Sequence, residues 1–306
     1  MADKSAEKKK RGGILSVTRL CIQAGFAALS NGYIRGFTES RIYKGPLKQI
    51  CVPGMNCYSC PGALGSCPIG ALQRLLGAGH FPLYALGFLV LFGSLLGRFV
   101  CGFLCPFGLI QDLLYRIPFF RKLKKLPGER FLKKLRYVFL SLFVILLPLF
   151  AVDLAGLGEP WFCKYVCPVG TLEGGVWFGL FDSAVRSSIG FLYHWKVAIL
   201  VLLLLISLAV YRPFCRYICP LGAVYGLFNR FALVRYTLDT EHCTSCHSCS
   251  ESCPMGLDVL KNPNSPDCIR CGACTRACPT GALHVRTPFR KTGPAAASDA
   301  EERDRA

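Results

Sequence analysis

The chain has 306 residues, 52% of them apolar, with nineteen cysteines and a formal net charge of +18. So apolar a composition excludes an ordinary soluble domain. The cationic residues gather beside apolar runs, which argues against a nucleic-acid partner and for a membrane. Nineteen cysteines are more than disulfides explain in a chain with cytoplasmic parts, so metal or redox chemistry is expected.

In chain order, residues 1–13 are a basic N-terminus with Lys8, Lys9, Lys10 and Arg11. Four apolar segments of spanning length follow, at 14–34, 80–97, 135–152 and 195–211. The first carries Arg19, Gln23 and Asn31 and lacks an obvious small-residue cleavage site, so it is read as a retained anchor. Cys21 within it is expected to be a small buried apolar residue. Ten Lys or Arg lie between 98 and 136, but only Lys164 and Arg186 between 151 and 194. This asymmetry predicts cytoplasmic termini, with outer loops at 35–79 and 153–194. The five basic residues of 35–79 fit that scheme poorly.

The segment 14–235 reads as one unit used twice. Each copy has a span, an outer Cys-Pro-x-Gly, a second span, an inner Cys-x3-Cys-Pro-x-Gly and an amphipathic stretch. The inner motifs are "CGFLCPFG" and "CRYICPLG". Copies with an even number of spans share one orientation, so Cys101, Cys105, Cys215 and Cys219 are expected to converge at the inner surface on one [4Fe–4S] cubane. Proline after the cysteine suits the first position of a helix whose amides would face the cluster.

The outer set has six thiols. Repeat symmetry selects Cys60, Cys67, Cys163 and Cys167 for a fourth cluster, with Cys51 and Cys57 as alternates; disulfides remain open on an oxidising face. His80 and His194, at the outer ends of the second spans, are candidates for a quinone or haem. Clusters at opposite faces would lie about a ~30 Å hydrocarbon core apart, so transmembrane transfer would need a carrier between them.

The stretch 236–286 contains "CTSCHSCSESCP" and "CIRCGACTRACP". Each is Cys-x2-Cys-x2-Cys-x3-Cys-Pro, which resembles the ligand run of bacterial two-cluster ferredoxins. That resemblance assigns Cys243, Cys246, Cys249 and Cys278 to one [4Fe–4S] cluster and Cys253, Cys268, Cys271 and Cys274 to the other. Residues 287–306 read as a disordered polar tail.

With its spans, Cys-x3-Cys-Pro motifs and C-terminal ferredoxin, the chain resembles the polyferredoxin family of membrane electron carriers, which includes NapH-type and NosR-type proteins. The implied fold is a membrane all-α, four-span bundle of two parallel repeats plus an α+β ferredoxin domain, multi-pass in the cytoplasmic membrane. The implied function is single-electron relay between a quinone pool or cytoplasmic donor and a partner redox enzyme, as a component of a quinol dehydrogenase or similar oxidoreductase. The partners are membrane lipid and redox proteins: a ferredoxin, a flavoprotein or respiratory reductase subunits. A carrier of this kind needs no acid–base residue, and none is named. Two alternatives are a maturation factor supplying electrons to a metal centre of a respiratory complex and a thiol/disulfide protein using the outer cysteines.

Overall fold

The computed structural model describes residues 17–118, 122–124, 126–154 and 156–287. The basic stretch 1–13, the start of the 14–34 segment and the tail beyond 287 lie outside the described residues. The first helices are α1 (Val17–Ser30), α2 (Pro68–Gly77), α3 (Leu83–Leu96), α4 (Phe99–Phe103) and α5 (Pro106–Arg116). Helix α6 runs from Glu129–Val138 through π turns at Phe139–Leu146 into Leu147–Phe150. Pro148 accounts for the wide turns. It has no N–H to return to the preceding turn, and widening relieves its ring against the carbonyl four residues back. Helix α7 likewise joins Pro168–Gly170, π turns at Thr171–Gly175 and Val176–Phe181. Then come α8 (Phe191–Ala209), α9 (Pro213–Tyr217) and α10 (Pro220–Phe228).

Helices therefore stand in all four apolar segments. Among the described residues, only α8 is by itself long and apolar enough to cross a bilayer. Helix α3 has 14 residues, a length of about 21 Å at ~1.5 Å per residue, short of a ~30 Å hydrocarbon core. Leu83 and Leu91 of α3 and Leu202 and Leu205 of α8 point outward and are exposed. So is Cys21, contrary to its expected burial; it lies on the outward side of an apolar helix, where packing makes no demand.

Helices α2, α5, α7 and α10 share one start. Cys67, Cys105, Cys167 and Cys219 precede them in extended backbone, and a proline takes the first helical position, where its missing N–H loses no bond. The core gathers between these starts: Val100, Phe107, Phe214, Tyr225 and Ile269 are fully buried, with Phe107 edge-on to Phe214 at 5.2 Å. Burial of side chains of this size contributes about 1.5–3 kcal/mol each.

The C-terminal module pairs β1 (Arg235–Leu238) antiparallel with β2 (Leu283–Arg286), with Tyr236 opposite Val285. Between the strands lie two short helices, α11 (Ser248–Glu251) and α12 (Ala273–Ala277).

Candidate metal centres

Two turns of the same shape build the C-terminal sites. Ser245 and His247 flank Cys246 at φ 51° and 58°, and Arg270 and Gly272 flank Cys271 at 55° and 74°. Left-handed backbone on both sides of the cysteine winds each loop so that thiols and amides face inward. Cys243, Cys246, Cys249 and Cys278 line one small cavity. Cys253, Cys268, Cys271 and Cys274 line another. The last cysteine of each run thus crosses to the other cavity. Burial pushes the Cys268 thiol up to about 12, so without iron it is neutral, and loading a cluster must expel its proton.

Cys101, Cys105, Cys215 and Cys219 form a second kind of site. All four are buried; Cys219 lies within electrostatic range of the other three, and Cys105 of Cys101 and Cys215. Cys219 Sγ accepts the Gly222 N–H at 3.3 Å, and Cys105 accepts the matching amide of Gly108. Two fully buried arginines brace the set across the repeat. Arg98 Nη2 donates to Cys215 O at 2.7 Å, and Arg212 Nη1 donates to Cys101 O. Asp112 balances Arg212 at 2.5 Å. Gln111 grips the second motif with both ends: Nε2 donates to Cys215 Sγ at 3.4 Å and Oε1 accepts Phe214 N–H at 3.2 Å.

In the outer set, Cys57, Cys67, Cys163 and Cys167 lie within electrostatic range of one another, and Cys57 lies within range of Cys60 as well. Cys60 turns its Sγ to Asn31 Oδ1 at 3.4 Å. Cys51 is buried elsewhere, its N–H donating to Tyr84 Oη at 3.1 Å. The choice between Cys57 and Cys60 depends on how the 51–67 loop folds, which motif spacing does not reveal. None of the nineteen cysteines is disulfide-bonded in the structure.

The depth of this loop also corrects the expected separation of the two sets. Gly54 lies against the backbone of Leu104 and Cys105. Cys105 accepts the Met55 N–H, and Met55 Sδ is 3.7 Å from Cys67 Sγ. Tyr225 Oη donates to Pro53 O at 3.1 Å and lies within electrostatic range of Cys101 and Cys105 on one side and Cys67 on the other. A single methionine therefore bridges the two sets, and no ~30 Å core stands between them. Irregular backbone at such depth is admissible where protein buries it.

On the other flank the ferredoxin module docks directly. Ile269 O would lie 2.4 Å from a Cβ at Gly102, so only glycine between Cys101 and Cys105 admits the Cys268–Cys271 loop. Arg270 Nη1 donates to Leu96 O at 2.8 Å and Nη2 to Asn229 O at 2.7 Å. Asn229 Nδ2 donates to Cys268 O at 2.7 Å, and Arg98 Nη1 to Pro266 O at 3.0 Å. His80 and His194 are exposed, with His194 Nδ1 3.0 Å from Gly190 O.

The donor chemistry fits cubanes. Four groups of four thiols, with inward amides beside them and buried arginines at the Cys101 set, suit an anionic cluster with Cys₄ ligation. Among the described residues no three metal-ligating side chains close round a single ion, as a zinc site with Zn–S of about 2.3 Å requires. Sequence reading missed Gln73, Gln111, Met55 and Asn229; the recurrence of glutamine six residues after both Cys67 and Cys105 was the available signal for the first two.

Comparison with known proteins agrees with this chemistry. A family model for a 4Fe-4S binding domain matches three times, at 78–127, 140–181 and 194–236, and one for a 4Fe-4S dicluster domain matches 242–283. An uncharacterized protein of Methanocaldococcus jannaschii is 30% identical over 66% of this chain and 78% of its own length. The methylamine utilization ferredoxin-type protein MauN of Paracoccus denitrificans is 29% identical over 81% of this chain and 79% of its own. The ferredoxin-type protein NapH of Haemophilus influenzae is 29% identical, covering 61% and 60%. No solved structure matches.

Proposed function

Because the chain belongs to the polyferredoxin family of ferredoxin-type 4Fe-4S electron-transport proteins, we propose that it is a membrane-bound carrier. It relays single electrons between a quinone pool or cytoplasmic donor and a partner redox enzyme. The ferredoxin head, 236–286, sits on the cytoplasmic side of a four-helix membrane part, 14–235, built from two repeats. Cys243, Cys246, Cys249 and Cys278, then Cys253, Cys268, Cys271 and Cys274, then Cys101, Cys105, Cys215 and Cys219 hold successive clusters.

When bound, the clusters supply one-electron chemistry; the protein's part is to hold, space and insulate them. One observation carries the reading: Ile269 is backed onto Gly102, with a ferredoxin ligand loop directly against the Cys101–Cys105 loop. Membrane insertion is supported by α8. A soluble core helix buries most of its surface, whereas only 17% of the most apolar window of α8 is buried inside the protein. The outer ends of α3 and α8, with His80 and His194, are where a quinone head group would arrive from lipid.

The test is anaerobic purification of the full chain from alkali-washed membranes, with iron analysis and low-temperature EPR. Cys101→Ser and Cys215→Ser should each lower iron by about four per chain, one cubane's worth. Both should block reduction of a quinone analogue by the dithionite-reduced head. A chain released by alkali, or full quinone reduction by both variants, would sink the reading.

A further inference from the structure

We propose that Cys57, Cys67, Cys163 and Cys167 are the ligands of a further [4Fe–4S] cluster, and that Cys60 is not among them. The inference rests on the reading above that cubanes fill the other cysteine sets.

Its basis is that the outer set repeats much of the construction of the Cys101 set. In both, a Cys-Pro-x-Gly cysteine precedes a helix and receives the amide of its own glycine: Gly70 for Cys67 and Gly170 for Cys167, as Gly108 and Gly222 do for Cys105 and Cys219. In both, a buried glutamine six residues on grips the opposite motif. Gln73 Nε2 donates to Cys163 Sγ at 3.3 Å and Oε1 accepts Phe162 N–H at 3.0 Å, the same two bonds that Gln111 makes to Cys215 and Phe214. Such N–H···S bonds are typical tuning contacts of cluster thiolates.

The fourth ligand follows from the remaining helix. Glu173, six residues after Cys167, accepts the Cys57 N–H through Oε2 at 2.7 Å. It thereby holds the Cys57 loop over the set, just as Tyr225, six after Cys219, holds Pro53. Gly170 leaves room for the thiol, since a Cβ there would lie 3.1 Å from Cys57 Sγ. Cys60 takes the amides of Gly62 and Ala63, but its Sγ is turned to Asn31 Oδ1 at 3.4 Å. Met55, which touches both Cys105 and Cys67, makes this site the next stop beyond the Cys101 set.

Iron and spin counting on the anaerobic full chain decides it, with the ferredoxin signals as the control for folding. The wild type should hold about 16 Fe, at four per cluster. Cys57→Ser and Cys163→Ser should each hold about 12 and lose one EPR species, while Cys60→Ser keeps all. The proposal is overturned if Cys60→Ser loses iron and Cys57→Ser does not, or if the wild type holds about 12 and Cys163→Ser changes nothing. In the latter case a loss of iron in Cys215→Ser would leave the carrier reading standing.

Discussion

Arg98 reaches across the repeat to the carbonyl of Cys215 at 2.7 Å, and Arg212 returns the same bond to Cys101. Each arginine stands three residues before one cysteine pair and steadies the other. Neither motif can move without the other, and two buried cations are fixed beside four thiolates.

Arg98→Ala should therefore damage two properties at once. It strips donors from the buried carbonyls of Cys215 and Pro266, each costing about 1–3 kcal/mol when left unpaired. It also removes positive charge beside an anionic cluster, which lowers the potential. Arg98→Lys returns the charge without the fork. Redox titration should thus show the potential largely restored while thermal melting in detergent stays depressed. Full recovery of both by lysine would mean that the fork is irrelevant.

Docking of the head depends on a missing side chain. Gly102→Ala places a Cβ 2.4 Å from Ile269 O, and backbone on both sides has little room to yield. The expected cost is about 1–3 kcal/mol, that of overpacking. Limited proteolysis should release the 236–286 head faster, and electrons placed on the head should reach the Cys101 set more slowly. Unchanged cleavage and transfer would show that the contact is not tight in solution.

Asp267 anchors the same interface to α6, pairing with Arg136 at 2.7 Å and Lys133 at 3.1 Å. Burial alone would raise its pKa, but Arg136, Arg98 and Lys133 outweigh burial and hold it below its ordinary value of 3.8. A carboxylate depressed in the folded state contributes stability that is complete above the unfolded pKa and is lost as pH falls through the folded one. Asp267→Asn should cost about 2 kcal/mol at neutral pH, the scale of a hydrogen bond to a charged group. The gap from wild type should stay constant from pH 8 to 5 and close only below about 4. Hydrogen exchange of the head across that range checks it; a gap that closes near pH 6 would assign the effect to another group.

These contacts mark what the sequence does and does not carry. The two-residue spacing of the Cys243 and Cys268 runs is a local instruction, because a short loop must aim three thiols at one point. The Cys-Pro starts of α2, α5, α7 and α10 are equally local. The depth of the 51–67 loop is not. It depends on Pro53 meeting Tyr225 across 172 residues of chain, and no periodicity registers that. The expected ~30 Å gap came from assigning every irregular segment to a membrane face. Motif spacing does not separate Cys57 from Cys60 for the same reason: each has the right chemistry, and the bond from the Cys57 N–H to Glu173 spans 116 residues.

The paired glutamines offer the sharpest comparison between the Cys101 and Cys163 sets. Gln111→Leu removes an N–H···S bond to Cys215 and leaves the Phe214 N–H without its acceptor; Gln73→Leu does the same at Cys163 and Phe162. A bond to sulfur is stronger when the cluster is reduced and more anionic, so its loss should lower the potential. If the bond differs by about 1 kcal/mol between oxidation states, the shift is roughly 40 mV for one electron, scaled from 59 mV per tenfold. Each substitution should move one EPR-monitored potential and leave the other in place, because the two glutamines share no partner. If Gln73→Leu moved the Cys101-set potential by as much as Gln111→Leu does, the amides would be acting through the packing of α2 and α5 and not through the sulfurs they touch.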